Sequence, residues 1–220
     1  ADAPLNRYGE EAINQKLSDL NWVSRAAIAH EAVVESFIGR RAVLPMKLFT
    51  IFTSDDRALD QVRGDRRQVD AMVKRVANHI EWGVRVTLLR PGAKSRGLRR
   101  ASASMKAAVA KTTGAKVGAS YLTQKKAQRD AALELAGHAQ ETVARLYDRL
   151  DARSRIARRR TASELPVEGG PLLLDAAFLV PRARATSFRA LVTREARRLG
   201  RLGYHVTLSG PWPPYTFVKD

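Results

Sequence analysis

Four histidines, His30, His79, His138 and His205, are the side chains of this 220-residue chain best suited to acid–base or metal chemistry. A helical metal site needs two ligands one turn apart, as in H-E-x-x-H. Only His30-Glu31 begins that way, and Ala32, Val33 and Val34 follow, so the second ligand is missing. Each histidine therefore reads as an ordinary helix, strand or surface residue. Lys111-Thr112-Thr113 has the ending of a phosphate-binding loop without its preceding glycines. Asp55-Asp56 is explained as a helix start, where negative charge offsets the dipole, and Ser209-Gly210 lacks a nucleophile elbow. The chain has no cysteine, so it has neither a disulfide framework nor a thiolate site. No catalytic residue, cofactor or metal is expected, and the reading is that of a protein that is not an enzyme.

The end of the chain carries a different kind of signal. From Tyr204 to Leu208 the side chains alternate, and Val206 and Thr207 favour extended backbone, which predicts a strand over Gly203–Ser209 ended by Gly210. Pro211, Pro213 and Pro214 then predict a stiff polyproline-like strap holding Trp212, Tyr215 and Phe217 in fixed directions. Two readings stand: the aromatics close their own core as a lid, or they form a preformed docking surface for a partner.

Periodicity supplies the elements that would position these residues. A helix is predicted over Asn21–Ile38, capped by Ser18 or Asp19, then a strand over Val43–Phe52 interrupted by Pro45. Pro45, Phe49 and Phe52 are expected in the core. Ser54 and Asp55 cap a short helix, and Arg66–Asn78 forms another with Val69, Met72, Val73 and Val76 inward. Ile80–Leu89 is an alternating strand. The stretch Leu98–Lys116 is expected to be partly disordered, a long helix to run from about Tyr121 to Ile156, and Thr161–Gly170 to be a linker. Leu172–Val180 is an apolar strand and Ser187–Leu202 a helix capped by Thr186 or Ser187. Strand, helix, strand, helix, strand is a ferredoxin-like order lacking one strand.

Charge is unevenly placed. Lys and Arg number 39 against 22 acids, for a net charge of +17. Residues 1 to 81 hold twelve acids and twelve Lys/Arg, whereas residues 82 to 129 hold twelve Lys/Arg and no acid. A further cluster, Arg153 to Arg160, is placed at the end of the long helix, where it complements the dipole. Polyanion or nucleic-acid binding through 82–129 and 153–160 is the alternative function. No base-reading module accompanies it, and a solvated basic face would look the same. No apolar run approaches the roughly 18 residues a membrane span needs, and no signal-peptide pattern is present.

Six blocks in order resemble the gas vesicle accessory family GvpF/GvpL: HEAVVESF (30–37), AVLPMKLFTIF (42–52), EWGVRVTL (81–88), GASYLTQKK (118–126), LLLDAAFLVPR (172–182) and the closing GPWPPYTF (210–217). The resemblance implies an α+β chain of two domains. The first is an N-terminal α+β domain over 1–78. The second is a C-terminal modified ferredoxin-like domain over 79–220, with a long helix, a basic insert at about 90–117 and the Pro/aromatic tail 210–220. Family members open with a hydrophobic strand where this chain begins ADAPLNRYGEEAINQKL, so the first strand is expected to be missing. The implied role is a minor vesicle component that assists assembly in the cytoplasm. It would bind the very hydrophobic shell protein of GvpA type, with other gas vesicle accessory proteins as further partners. The expected partner-binding residues are Trp212, Pro213, Pro214, Tyr215 and Phe217. Lys125 and Lys126 form a second set, which equally reads as a solvated helical turn.

Overall fold

A computed structural model describes residues 4–89, 117–160 and 170–218 of the chain. The basic insert, the stretch Leu98–Lys116 and the linker Thr161–Gly170 fall almost wholly outside the described residues. The N-terminal part carries α1 (Leu5–Tyr8), α2 (Glu10–Lys16), α3 (Leu20–Ser36), α4 (Asp55–Gly64) and α5 (Arg66–Val76). α3 starts where its cap predicts: the Asp19 carboxylate accepts from Asn21 N and Trp22 N at 3.0 and 3.1 Å. Ser54 caps α4 by accepting from Arg57 N at 3.3 Å.

The strand expected over Val43–Phe52 does not form. Pro45 has no donor to give a ladder, Phe49 adopts a φ of 63°, and Thr50 N closes a turn on the Lys47 carbonyl. Ala42 and Leu44 pack against the sheet instead, and Phe49 stacks on Trp22 with ring centroids 5.3 Å apart.

Beyond α5 the order is β1 (His79–Leu88), α6 (Val117–Asp151), β2 (Ile156–Arg159), β3 (Leu172–Pro181), a 3-10 turn (Arg182–Arg184), α7 (Ala185–Gly200) and β4 (Tyr204–Trp212). The sheet runs β2-β3-β1-β4 with every neighbouring pair antiparallel. With β2 present, the β-α-β-β-α-β succession of a ferredoxin-like unit is complete, and the chain is α+β.

β2 is the strand the sequence reading lacked. It lies inside the basic run Arg153–Arg160, which was expected to end the long helix and complement its dipole. α6 in fact starts at Val117 and stops at Asp151, where Ser154 Oγ donates to the Asp151 carbonyl at 3.0 Å. Only Ile156 and Ala157 in β2 are apolar, too few to show a period of two. α7 begins at Ala185 with no side-chain cap, contrary to the expected cap at Thr186 or Ser187. Ser187 Oγ donates back to the Arg184 carbonyl instead.

One face of the sheet is covered by helices. Trp82, Val84 and Val86 of β1 and Ala176, Phe178 and Val180 of β3 meet Val143, Leu146 and Leu150 of α6 and Phe188, Val192 and Leu199 of α7. Burying each large apolar side chain contributes about 1.5–3 kcal/mol. Phe178 is central, its ring 5.6 Å from Tyr147 and 5.7 Å from Phe188. Glu195 lies in the same layer, buried, with Arg149 Nη1 at 2.6 Å and Arg198 Nε at 2.9 Å. Burial alone would raise its carboxyl, but the two guanidinium groups outweigh that and hold it below the usual range. From Gln124 to His138 every described side chain of α6 is exposed, so this part of the helix takes no part in the core.

Candidate partner-binding site

The opposite face of the sheet presents Glu81, Gly83 and Arg85 of β1 beside Asp175, Ala177 and Leu179 of β3. Asp175 is buried; Arg85 Nε donates to its Oδ2 at 2.9 Å, and Arg160 Nε forms an ion pair with its Oδ1 at 3.2 Å. A Cβ on Gly83 would fall 2.5 Å from Ser209 Oγ and 2.8 Å from Arg160 Nη2, so the bare backbone lets Arg160 cross the sheet.

The tail closes one end of this face. β4 does not stop at Gly210 but continues to Trp212. Gly210 has a φ of 113°, and a Cβ there would lie 2.9 Å from the Glu81 carbonyl oxygen. The extended polyproline-like strap is likewise replaced by a compact turn. Tyr215 N donates to Pro213 O at 2.7 Å and Phe217 N to Pro214 O at 3.0 Å. The Glu81 carboxylate accepts from Thr216 N at 2.8 Å and Thr216 Oγ1 at 2.6 Å. Arg158 donates to the Thr216 carbonyl at 3.0 Å and Arg75 to the Phe217 carbonyl at 3.2 Å. Phe217 has no exposed surface. It packs with Val76, Ala177 and Leu179, and the Arg158 guanidinium lies 5.7 Å over its ring.

The lid reading therefore describes this part of the tail. Phe217, Pro213 and Pro214, expected among the partner-binding residues, are buried in this chain. Trp212 and Tyr215 are half-buried and keep an exposed edge. Lys125 and Lys126 are exposed on α6 and do not line the groove described next.

Tyr215 and Val218 form one end of a groove of about 1010 Å³ between α3, α4, α5 and the irregular segment 44–50. Leu44, Pro45, Met46, Leu48, Val62, Val69 and Met72 give it an apolar lining, with His30, Glu31, Lys47 and Asp65 at polar positions. Met46 is 51% and Val62 48% exposed. Methionine is unbranched and adapts to irregular apolar shapes. Burial raises the Tyr215 hydroxyl above its ordinary value, and the carboxylates of Glu31, Glu35 and Glu81 push the same way. Elsewhere α3 exposes Leu20 (77%), Ile28 (68%) and Val33, and Phe37 just after it is also exposed. Glu81, Arg75 and the two groove methionines were not foreseen as functional, and Arg158 only as part of a basic run. The signal for Glu81 was available: an acid at an inward position of a central strand must find a partner.

His79 Nδ1 donates to the Ala77 carbonyl at 2.6 Å, and burial is the main cause that lowers it below its ordinary value. Among the described residues no group of three or more potential metal ligands gathers, and no helix is long and apolar enough to cross a membrane. Of the acid-free basic stretch, the part in β1 is integrated into the sheet, with Arg85 paired to Asp175. Residues 90–116 lie outside the described residues.

Comparison with known proteins agrees with this architecture. The family model described as gas vesicle synthesis protein GvpL/GvpF matches residues 1–219. Gas vesicle protein L of Streptomyces sp. (strain CB03234) is 28% identical over 217 residues, covering 98% of this chain and 77% of that protein. The crystal structure of GvpF from Anabaena sp. PCC7120 superposes with a TM-score of 0.61 at 16% identity, over 90% of this chain and 76% of the other. That of GvpF from Microcystis aeruginosa gives 0.55 at 12% identity, over 93% and 80%. At those identities the structures speak for the fold.

Proposed function

Because the chain belongs to the gas vesicle synthesis protein GvpL/GvpF family, we propose that it assists gas vesicle assembly by binding the hydrophobic shell protein, of the GvpA type, during nucleation or growth. The observation that carries this reading is the apolar groove between α3, α4, α5 and segment 44–50, whose Met46 and Val62 are half-exposed. An apolar groove of this kind is costly to leave in water and suits a partner that is itself apolar. The chain covers part of the shell subunit before the subunit finds its neighbours, and so delays premature aggregation. Within the tail, Trp212 and Tyr215 contribute through their exposed edges, while Pro213, Pro214 and Phe217 hold them in place. Lys125 and Lys126 form a second, peripheral contact. The domains assigned to 1–78 and 79–220 would then meet at the groove, and the working location is the gas vesicle and the cytoplasm.

The test is a pull-down of co-expressed shell protein by the full chain, nuclease-treated and run at low and high salt, with Met46→Asp and Val62→Asp beside the parent. Capture that persists at high salt and is lost in the two groove variants supports the reading, because apolar contacts survive screening. Both positions are half-exposed, so the variants keep their circular dichroism. Capture unaffected by either substitution refutes the groove. Absence of capture, with nucleic acid retained at low salt before nuclease, assigns the function to polyanion binding instead.

A further inference from the structure

One face of α7 carries guanidinium groups that the chain itself leaves uncompensated. Arg189, Arg194, Arg197 and Arg201 are exposed, and no acid lies within ion-pair distance of any of them among the described residues. The helix has a single acid, Glu195, which is buried and already held by Arg149 and Arg198. On α4 and α5, by contrast, exposed arginines are interspersed with acids, as in Arg63–Asp60 and Arg66–Asp70. The helix dipole accounts for Arg197 and Arg201 near the C-terminus but not for Arg189, which stands close to the N-terminus in a helix whose first turn has no acid. Four cations along about 18 Å of helix repel one another, so their arrangement costs the free chain stability.

The small side chains of Thr186, Ala190 and Thr193 form a seam along the same outward face. At 100° per residue, Arg189 stands on one side of the seam and Arg194 and Arg201 on the other, with Arg197 closing its end. Together these residues line a shallow groove of about 690 Å³. We propose that this face of α7 docks an acidic helix of a partner protein. Charge complementarity names the partner: carboxylates at helical spacing would meet the guanidinium rows in bidentate pairs. The small-residue seam allows the two backbones to approach to about 8–10 Å. Phe188, the helix's aromatic residue, is buried, so the outward face offers no ring for stacking a base, and a helix fits it better than a nucleic acid. None of these residues lines the groove between α3 and α5, so the proposal is independent of shell-protein binding.

The experiment titrates the full chain into a labelled alanine-based peptide with glutamates at helical spacing, read by fluorescence anisotropy, and maps the bound surface by amide chemical shifts. The largest shifts fall on residues 186–201. Arg194→Ala with Arg197→Ala weakens binding about tenfold while the circular dichroism is unchanged. Arg63→Ala with Arg66→Ala, exposed arginines on α4 and α5 outside both grooves, leaves it unaltered. Arg194→Glu with Arg197→Glu transfers the preference to the same peptide carrying lysines. Shifts centred elsewhere, or unchanged affinity in the folded alanine variant, overturn the proposal. So does a duplex DNA oligonucleotide that occupies α7 more tightly than the peptide.

Discussion

Phe217→Ala separates a tail that closes the core from one that merely lies against it. The ring has no exposed surface and fills the space between Val76 of α5 and Ala177 and Leu179 of β3, with Ala42, Leu44 and Ile156 around it. Deleting a fully buried Phe side chain loses its transfer free energy and leaves a cavity, a combined cost of about 3–5 kcal/mol. The Arg158 guanidinium, 5.7 Å over the ring, loses its cation–π partner, which belongs at the upper part of that range. Since small proteins are stable by only about 5–15 kcal/mol, a large fraction of the total is at stake. For a chain of this size 1 kcal/mol corresponds to about 2–4 °C, so Tm should fall by roughly 6–20 °C. Urea unfolding should show the same loss as a lower midpoint with an unchanged slope. Phe217→Leu, which retains most of the volume, should cost about a third as much. A variant that melts within about 2 °C of the parent would refute the reasoning, since no buried Phe is that cheap to remove.

Three further outcomes follow from the same geometry. Gly210→Ala should cost on the order of 2 kcal/mol or more, because the new Cβ meets the Glu81 carbonyl at 2.9 Å at a φ of 113°; thermal melting gives the value, and a neutral result would mean the turn is not built as described. Glu195, whose folded-state carboxyl sits below its ordinary 4.5, adds stability that is present above that value and is lost as pH falls through the lower folded value. Glu195→Gln should therefore flatten the acid limb of a stability profile measured by denaturant. Tyr215, raised above 10.0, adds stability that is present below that value and disappears as pH rises through the higher folded one. Tyr215→Phe should remove this alkaline loss, seen as the difference between the two proteins' melting curves above about pH 10.

The residues themselves determined the strongly periodic elements. The alternation in β1 and β4, the apolar run of β3, the Asp19 and Ser54 caps and the inward stripe of α7 are local properties, and each appears within a few residues of its expected place. The six sequence blocks likewise carried the family. What the tertiary structure decided depends on partners distant in the chain. β2 is a strand because β3 offers it an edge and because Arg158 and Arg160 find the tail carbonyl and Asp175, none of which a short basic run reveals. Segment 43–52 has strand-like composition but no strand beside it, so it lines a groove instead. The tail aromatics fit either a lid or a docking surface. Glu81 and Arg75, 135 and 142 residues before their tail partners, anchor the turn that buries Phe217. Local preference fixes an element, whereas burial is assigned by whichever surface the rest of the chain brings to meet it.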